Sequence, residues 1–192
     1  MKRWNRSRWW SLLACLLLLA GCTRQTPADQ PAAGTEGTSQ AADARGPLLG
    51  SFTAQDLEGN TVDQSILADH KLTMVNVWAT FCTPCLSEMP ELGQLQQEYQ
   101  EKGVQIIGIV MDVYNSDGSL NESQVEKARL AVEQTGADYL HLLPSKDLIA
   151  AKLKDVSAVP ETFFVDAQGN LVGDSYLGAR DKAGWQQVTE EK

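Results

Sequence analysis

The apolar and polar positions of this chain change period several times, and each change marks an element. Leu72 to Ala79 (LTMVNVWA) is apolar apart from Thr73 and Asn76, a short β-rich run suited to a central strand covered on both faces. Val104 to Met111 (VQIIGIVM) is a second such run, and Tyr139 to Leu143 a third. Between the first two, Leu86, Met89, Leu92, Leu95 and Tyr99 recur at helical spacing, with a bend expected at Pro90 and an end at Gly103. A second helix is expected over Asn121 to Gln134, with Val125, Ala128, Leu130, Ala131 and Val132 supplying its apolar faces, and a third over Lys146 to Lys154. Leu49 to Asp63 reads as a hairpin turning at Asp56 to Asn60. Near the end, Phe163 to Asp166 and Leu171 to Asp174 flank a turn at Ala167 to Asn170, and a terminal helix starts at about Asp181. Alternating strands and helices closed by a hairpin indicate an α/β domain with a mixed sheet.

The amino end follows a different pattern. Met1 to Arg8 carries Lys2, Arg3, Arg6 and Arg8 and no acid, and Ser11 to Ala20 is apolar apart from its first residue. A basic start before a short apolar run is the pattern of an export signal, too short to cross a bilayer permanently. The run ends in Leu19-Ala20-Gly21-Cys22, which resembles the bacterial lipobox, whose cysteine is acylated and becomes the first residue of the mature protein. Residues 1–21 are therefore expected to be a lipoprotein signal peptide and Cys22 the lipidated residue. Residues 22–47 are rich in Ala, Thr, Gln, Gly and Pro with almost no large apolar side chain, the composition of a disordered tether. Residues 48–192 suffice for one domain with its own core. The expected location is extracytoplasmic, lipid-anchored to the bacterial membrane.

Charge narrows the partners. The chain has a formal net charge of −9, and four of its basic residues leave with the signal, so the remainder carries −13 before its termini are counted. An acidic domain without basic clusters argues against nucleic acid and against electrostatic binding to anionic lipid. Attachment then rests on acyl chains at Cys22.

The chemistry-bearing stretch is Cys82-Thr83-Pro84-Cys85, where the first strand run passes into the first helix. Cysteines at this spacing supply half of a metal site, a structural staple, or a redox pair. Zinc needs two more ligands, and besides this pair the chain has only Cys15 and Cys22, both at the amino end, and His70 and His141, far apart in sequence; no metal is expected. Pro84 suits a first helical turn, which puts Cys82 at about the N-cap. Unpaired N–H groups and the helix dipole there stabilise a thiolate. Cys82 is thus the expected nucleophile, and Cys85, one turn inward, the resolving thiol, with the redox-active disulfide between them serving in place of any cofactor. The loop at Asn115, Asp117 and Gly118 echoes part of a calcium-binding EF-hand, but in that frame Val113 falls where a carboxylate is required and Gln124 at the twelfth position.

WATFCTPC after an apolar strand, together with Val159-Pro160-Glu161-Thr162-Phe163 entering a later strand, resembles the thioredoxin superfamily, and within it the exported, membrane-tethered TlpA/ResA-like branch. The resemblance covers about Leu48 to Lys192. It implies a thioredoxin-like fold, a central mixed sheet flanked by helices, with an N-terminal hairpin and an extra helix and strand at about Asn121 to Leu143. It implies a cis bond before Pro160, and a substrate segment pairing with the backbone at Val159, beside Phe81, Thr83 and Pro84. Where classical members carry a buried Asp six residues before the first cysteine, this chain has Asn76, which cannot take a proton at physiological pH. Glu161 is the candidate to replace it as proton acceptor, with Glu88, three residues past Cys85, expected to be a solvated helix position.

The implied activity is thiol–disulfide exchange in the reducing direction, since the Thr-Pro dipeptide between the cysteines resembles reducing members. Electrons would come from a membrane donor of the CcdA/DsbD type. They would pass to an exported disulfide protein such as an apocytochrome c, a methionine sulfoxide reductase or a peroxidase. The protein is expected to be a monomer; an oxidase or isomerase for secreted proteins, and a non-catalytic lipoprotein binding module with a static disulfide, are the alternatives. A peroxiredoxin is disfavoured because the Pro-x-x-x-Thr-x-x-Cys frame is absent.

Overall fold

The computed structural model describes residues 46–192; the expected signal, the lipidation residue Cys22 and nearly all of the expected tether lie outside them. A five-stranded sheet in the order β5-β4-β3-β6-β7 organises the domain. Its centre is β3, Leu72–Trp78, buried along its whole length, as a continuous apolar run requires when helices cover both faces. β4 (Val104–Val110) lies parallel to β3 on one side, with Trp78 opposite Val110, and β6 (Glu161–Asp166) lies antiparallel on the other, with Asn76 opposite Thr162. β5 (Leu140–Leu142) extends the parallel side and β7 (Tyr176–Leu177) the antiparallel side. A separate hairpin of β1 (Thr53–Gln55) and β2 (Thr61–Asp63) turns on Asp56, whose carboxylate accepts from the N–H groups of Glu58 and Asn60.

Strand alternation divides the core into two faces. Val75, Val77, Ile107, Ile109, Phe163 and Val165 point to the side packed with Phe52, Leu67, Leu148 and Leu153, under the hairpin and α3 (Lys146–Ala151). Met74, Ile106 and Phe164 point to the other side, against Leu92, Leu95 and Tyr99 of α1 (Thr83–Tyr99) and Trp185 and Val188 of α4 (Lys182–Glu190). Trp78 and Val110 continue that side with Cys85 and Met89 of α1 and Val125 and Ala128 of α2 (Glu122–Thr135). α2 and β5 form the expected insert. α1 runs through Pro90 unbroken, and a 3-10 turn over Gln100–Lys102 carries the chain to Gly103, whose φ of 85° ends it.

Three expectations change. Leu171 to Asp174 does not pair as a strand: Leu171 makes a single bridge to Val165, Gly173 takes a φ of 73°, and the ladder resumes at Tyr176–Leu177. Leu130 is exposed rather than on an apolar face, since α2 buries Val125 and Ala128. The third helix ends at Ala151, where Lys152 leaves helical geometry (φ −143°) before a 3-10 turn over Leu153–Asp155.

Candidate functional site

The cysteines sit where β3 ends and α1 begins, at the carboxyl edge of the parallel strands. Cys82 is the N-cap of α1: its backbone is extended (φ −84°, ψ 94°), its sulfur faces the Cys85 N–H at 3.2 Å, and Pro84 lies in the first turn. The two residues are joined by a disulfide with their Cα atoms 5.3 Å apart. Cys85 is fully buried and Cys82 6% exposed, so Cys82 is the less enclosed of the two. Opposite, the Val159–Pro160 bond is cis, and Cys82 Sγ lies 3.6 Å from the Val159 carbonyl oxygen. Phe81 is 75% exposed and Thr83 and Pro84 are exposed beside it. The structure thus brings together Phe81, Cys82, Thr83, Pro84, Cys85, Val159 and Pro160.

It does not bring Glu161 to them. Glu161 pairs in register with Val77, so its side chain shares the face of Val75, Phe163 and Val165, across the sheet from α1. Its buried carboxylate is engaged there by the Lys152 ammonium. The expected proton acceptor is thereby corrected.

The acid on the α1 side is Glu88, which is 2% exposed rather than solvated. Its Oε1 accepts from Asn76 Nδ2 at 2.9 Å, and its Oε2 from the Arg180 N–H at 3.1 Å and Trp185 Nε1 at 3.1 Å. Asn76 Nδ2 also donates to Thr162 Oγ1 at 3.0 Å. Burial pushes the Glu88 carboxyl above its ordinary value; the three donors pull the other way, and neighbouring Glu91 adds a smaller upward push. Asn76 is therefore one of the donors that hold this buried carboxyl in place. The signal for Glu88 was present in the sequence: it falls on the stripe of Cys85, Met89 and Leu92, where a solvated side chain has no place.

Trp78 and Trp185 are both fully buried. His141 is buried between Trp78 and Tyr139, its Nε2 3.1 Å from the Ala137 carbonyl, and burial holds its pKa down to about 4. A Cβ at Gly108 would lie 2.2 Å from His141 Nδ1, so only glycine fits on β4 beneath that ring. Among the described residues, no group of three or more His, Cys, Asp or Glu is placed to hold a metal ion.

Comparison with known proteins agrees with this geometry. Residues 46–173 match the AhpC/TSA family. The thiol-disulfide oxidoreductase ResA of Halalkalibacterium halodurans is 29% identical over 64% of this chain and 62% of its own length; the chain spans less than two thirds of that relative. The thiol:disulfide interchange protein DsbE of Vibrio cholerae is 30% identical over 92% of this chain and 88% of its own. The crystal structure of a thioredoxin-family thiol:disulfide interchange protein from Chlorobium tepidum superposes with a TM-score of 0.63 at 27% identity, covering 78% of this chain and 98% of that one. By family match, relatives and fold together, the chain belongs to the AhpC/TSA family, in the thioredoxin-like group that includes the ResA and DsbE thiol–disulfide oxidoreductases.

Proposed function

We propose that this chain is an extracytoplasmic thiol–disulfide oxidoreductase that reduces disulfides in exported proteins. The observation that carries the reading is Cys82 at the N-cap of α1, with a backbone N–H aimed at its sulfur and an exposed aromatic residue beside it. In the dithiol form the Cys82 thiolate attacks one sulfur of a substrate disulfide. That bond breaks, its second sulfur leaves as a thiolate and takes a proton from solvent, and Cys82 is left in a mixed disulfide. Cys85 then gives its proton to Glu88, three residues along the same buried face, and attacks Cys82 Sγ. The Cys82–Cys85 disulfide forms, the substrate sulfur held in the mixed disulfide is expelled as a thiolate and takes a proton from solvent, and Glu88 releases its proton to solvent, so the substrate leaves as a dithiol, two electrons richer. Glu88 suits this step because its environment raises its proton affinity and lies on the Cys85 side of the sheet. Phe81, Thr83, Pro84 and the Val159–Pro160 backbone form the surface on which the substrate segment lies.

A membrane donor of the CcdA/DsbD type returns the electrons. The Leu19-Ala20-Gly21-Cys22 sequence supports a lipid anchor and an extracytoplasmic setting, and the relatives' names, thiol-disulfide oxidoreductase and thiol:disulfide interchange protein, support the exchange chemistry. The test is redox equilibration with glutathione and dithiothreitol, coupled to insulin-disulfide reduction. A potential well below that of strong oxidants and catalytic insulin turnover are expected. A potential on the order of −120 mV, that of a strong oxidant, overturns the reducing direction, and a disulfide that resists mild dithiothreitol overturns the enzyme reading in favour of a static staple.

A further inference from the structure

We propose that Asp112 is a positioning residue that holds the Ala79–Cys82 turn through Thr80 and sets a negative charge against the Cys82 thiolate, biasing the dithiol toward reduction. The inference rests on the thiol–disulfide reading above.

β3 and β4 are paired to their last residues, Trp78 and Val110, and the ladder continues one step further, with Met111 N donating to Trp78 O at 2.8 Å. Beyond that step the two loops part and a side chain takes over. Asp112 Oδ1 accepts from Thr80 N at 3.0 Å, and Oδ2 from Thr80 Oγ1 at 2.6 Å. The amide of Gln124, in the first turn of α2, donates to Asp112 Oδ2 at 3.2 Å and to its carbonyl at 3.3 Å. One carboxylate therefore ties together the loop before the cysteines, the end of β4 and the start of α2.

Gln124 Nε2 also donates to Thr80 Oγ1 at 3.5 Å, from the same network. Cys82 N donates to Ala79 O at 3.0 Å, which closes the turn, and Phe81 between them is 75% exposed and lies out over the surface. The fork from Asp112 to Thr80 is the second fixed point. It sets both the seat of the Cys82 sulfur against the Val159 carbonyl and the aim of Phe81.

The carboxylate also acts by its charge. It accepts neutral donors, and among the described residues no Lys or Arg pairs with it; the nearest cation in its network is Lys127, bonded to the far end of Gln124 at 2.6 Å. An uncompensated negative charge bonded to Thr80, two residues before Cys82, opposes a second one on the sulfur, against the helix N-terminus that favours it. A less stabilised thiolate makes a more strongly reducing dithiol. The buried Glu88 on α1 also lies on this side of the sheet and the Lys152–Glu161 pair on the opposite face, and neither is altered by the variants below.

The test is the pH profile of Cys82 alkylation by iodoacetamide in the fully reduced full chain, resolved by peptide mass, with insulin reduction and thermal melting alongside. Asp112→Asn removes the charge and is expected to lower the alkylation midpoint by about half a pH unit, roughly threefold more thiolate below the midpoint. Thr80→Val removes the hydroxyl arm of the fork, leaves the backbone arm and keeps the charge; the midpoint is expected to stay at or above that of the unaltered protein while insulin reduction slows by about threefold or more. Thr80→Ser, which keeps the hydroxyl, is expected to restore both. An unmoved or raised midpoint in Asp112→Asn, or full-rate insulin reduction in Thr80→Val, overturns the proposal even if melting temperatures fall. If the unaltered protein fails to reduce insulin while the Asp112→Asn midpoint drops, the electrostatic assignment stands and the reading of its function falls.

Discussion

Replacing Asn76 by Asp restores the acid that classical members carry at this position, and here it is expected to damage the protein in a pH-dependent way. Asn76 Nδ2 donates to Glu88 Oε1 at 2.9 Å, and both side chains are buried. An Asp in the same place turns that donor into an acceptor and sets two carboxylates about 3 Å apart. At an effective dielectric constant of about 20, two unit charges at that distance repel by about 5 kcal/mol, or roughly four pKa units. One proton is therefore retained by the pair to about pH 8. The folded-state value is raised above the unfolded value near 4, so the stability of the variant is whole below that value and is lost as pH rises toward 8. Linkage gives about 1.4 kcal/mol per pH unit, hence about 4 kcal/mol between pH 5 and pH 8. Glu88 in the unaltered protein follows the same sign with a smaller drop, since its three donors oppose the raised value. Urea unfolding at pH 5, 6.5 and 8 reads this directly. Equal loss of stability at pH 5 and pH 8 would show that residues 76 and 88 do not share a site, and would remove Glu88 from the account.

Two further outcomes follow from the buried charges. His141 is held down to about pKa 4 by burial, so the stability it contributes is present above its unfolded value near 6.5 and is lost as pH falls through that window; the loss is about 3 kcal/mol at pH 4, and His141→Gln is expected to flatten the urea midpoint between pH 7 and pH 4. Lys152→Met strands the Glu161 carboxylate in the core and is expected to cost about 3 kcal/mol by denaturant unfolding at neutral pH, with Lys152→Met/Glu161→Leu recovering most of it; a single variant as stable as the unaltered protein would mean the pair contributes nothing.

Much of the fold was legible because local signals and tertiary demand agreed. The unbroken apolar runs of Leu72–Trp78 and Val104–Val110 have few ways to be buried except as central strands, and Pro84 after Cys82 fixes a helix start with its N-cap. The burial of Glu88 is legible from the stripe of Cys85, Met89 and Leu92, but its partners are not. Glu161 was favoured because it adjoins Pro160 in sequence, yet one residue along a strand turns a side chain to the opposite face. Glu88 is paired with Arg180 and Trp185, 92 and 97 residues away, and no local pattern announces those partners. The edge strand failed for a related reason: Leu171 and Val172 look β-rich, but the left-handed Gly173 takes the chain out of the ladder before it returns at Tyr176. Asp112 and Thr80 lie in loops without period, and only the register of β3 on β4 sets them side by side.

The division of labour between the cysteines is the centre of the account, and trapping tests it most directly. Reduced Cys85→Ala and Cys82→Ala variants are each incubated with an insulin or glutathione disulfide, and the adducts are mapped by mass. The account predicts a stable mixed disulfide on Cys82 when Cys85 is replaced, because nothing remains to resolve it, and no comparable adduct on buried Cys85 when Cys82 is replaced. Equal adducts on either cysteine, or none on a Cys82 that iodoacetamide still reaches, would contradict it.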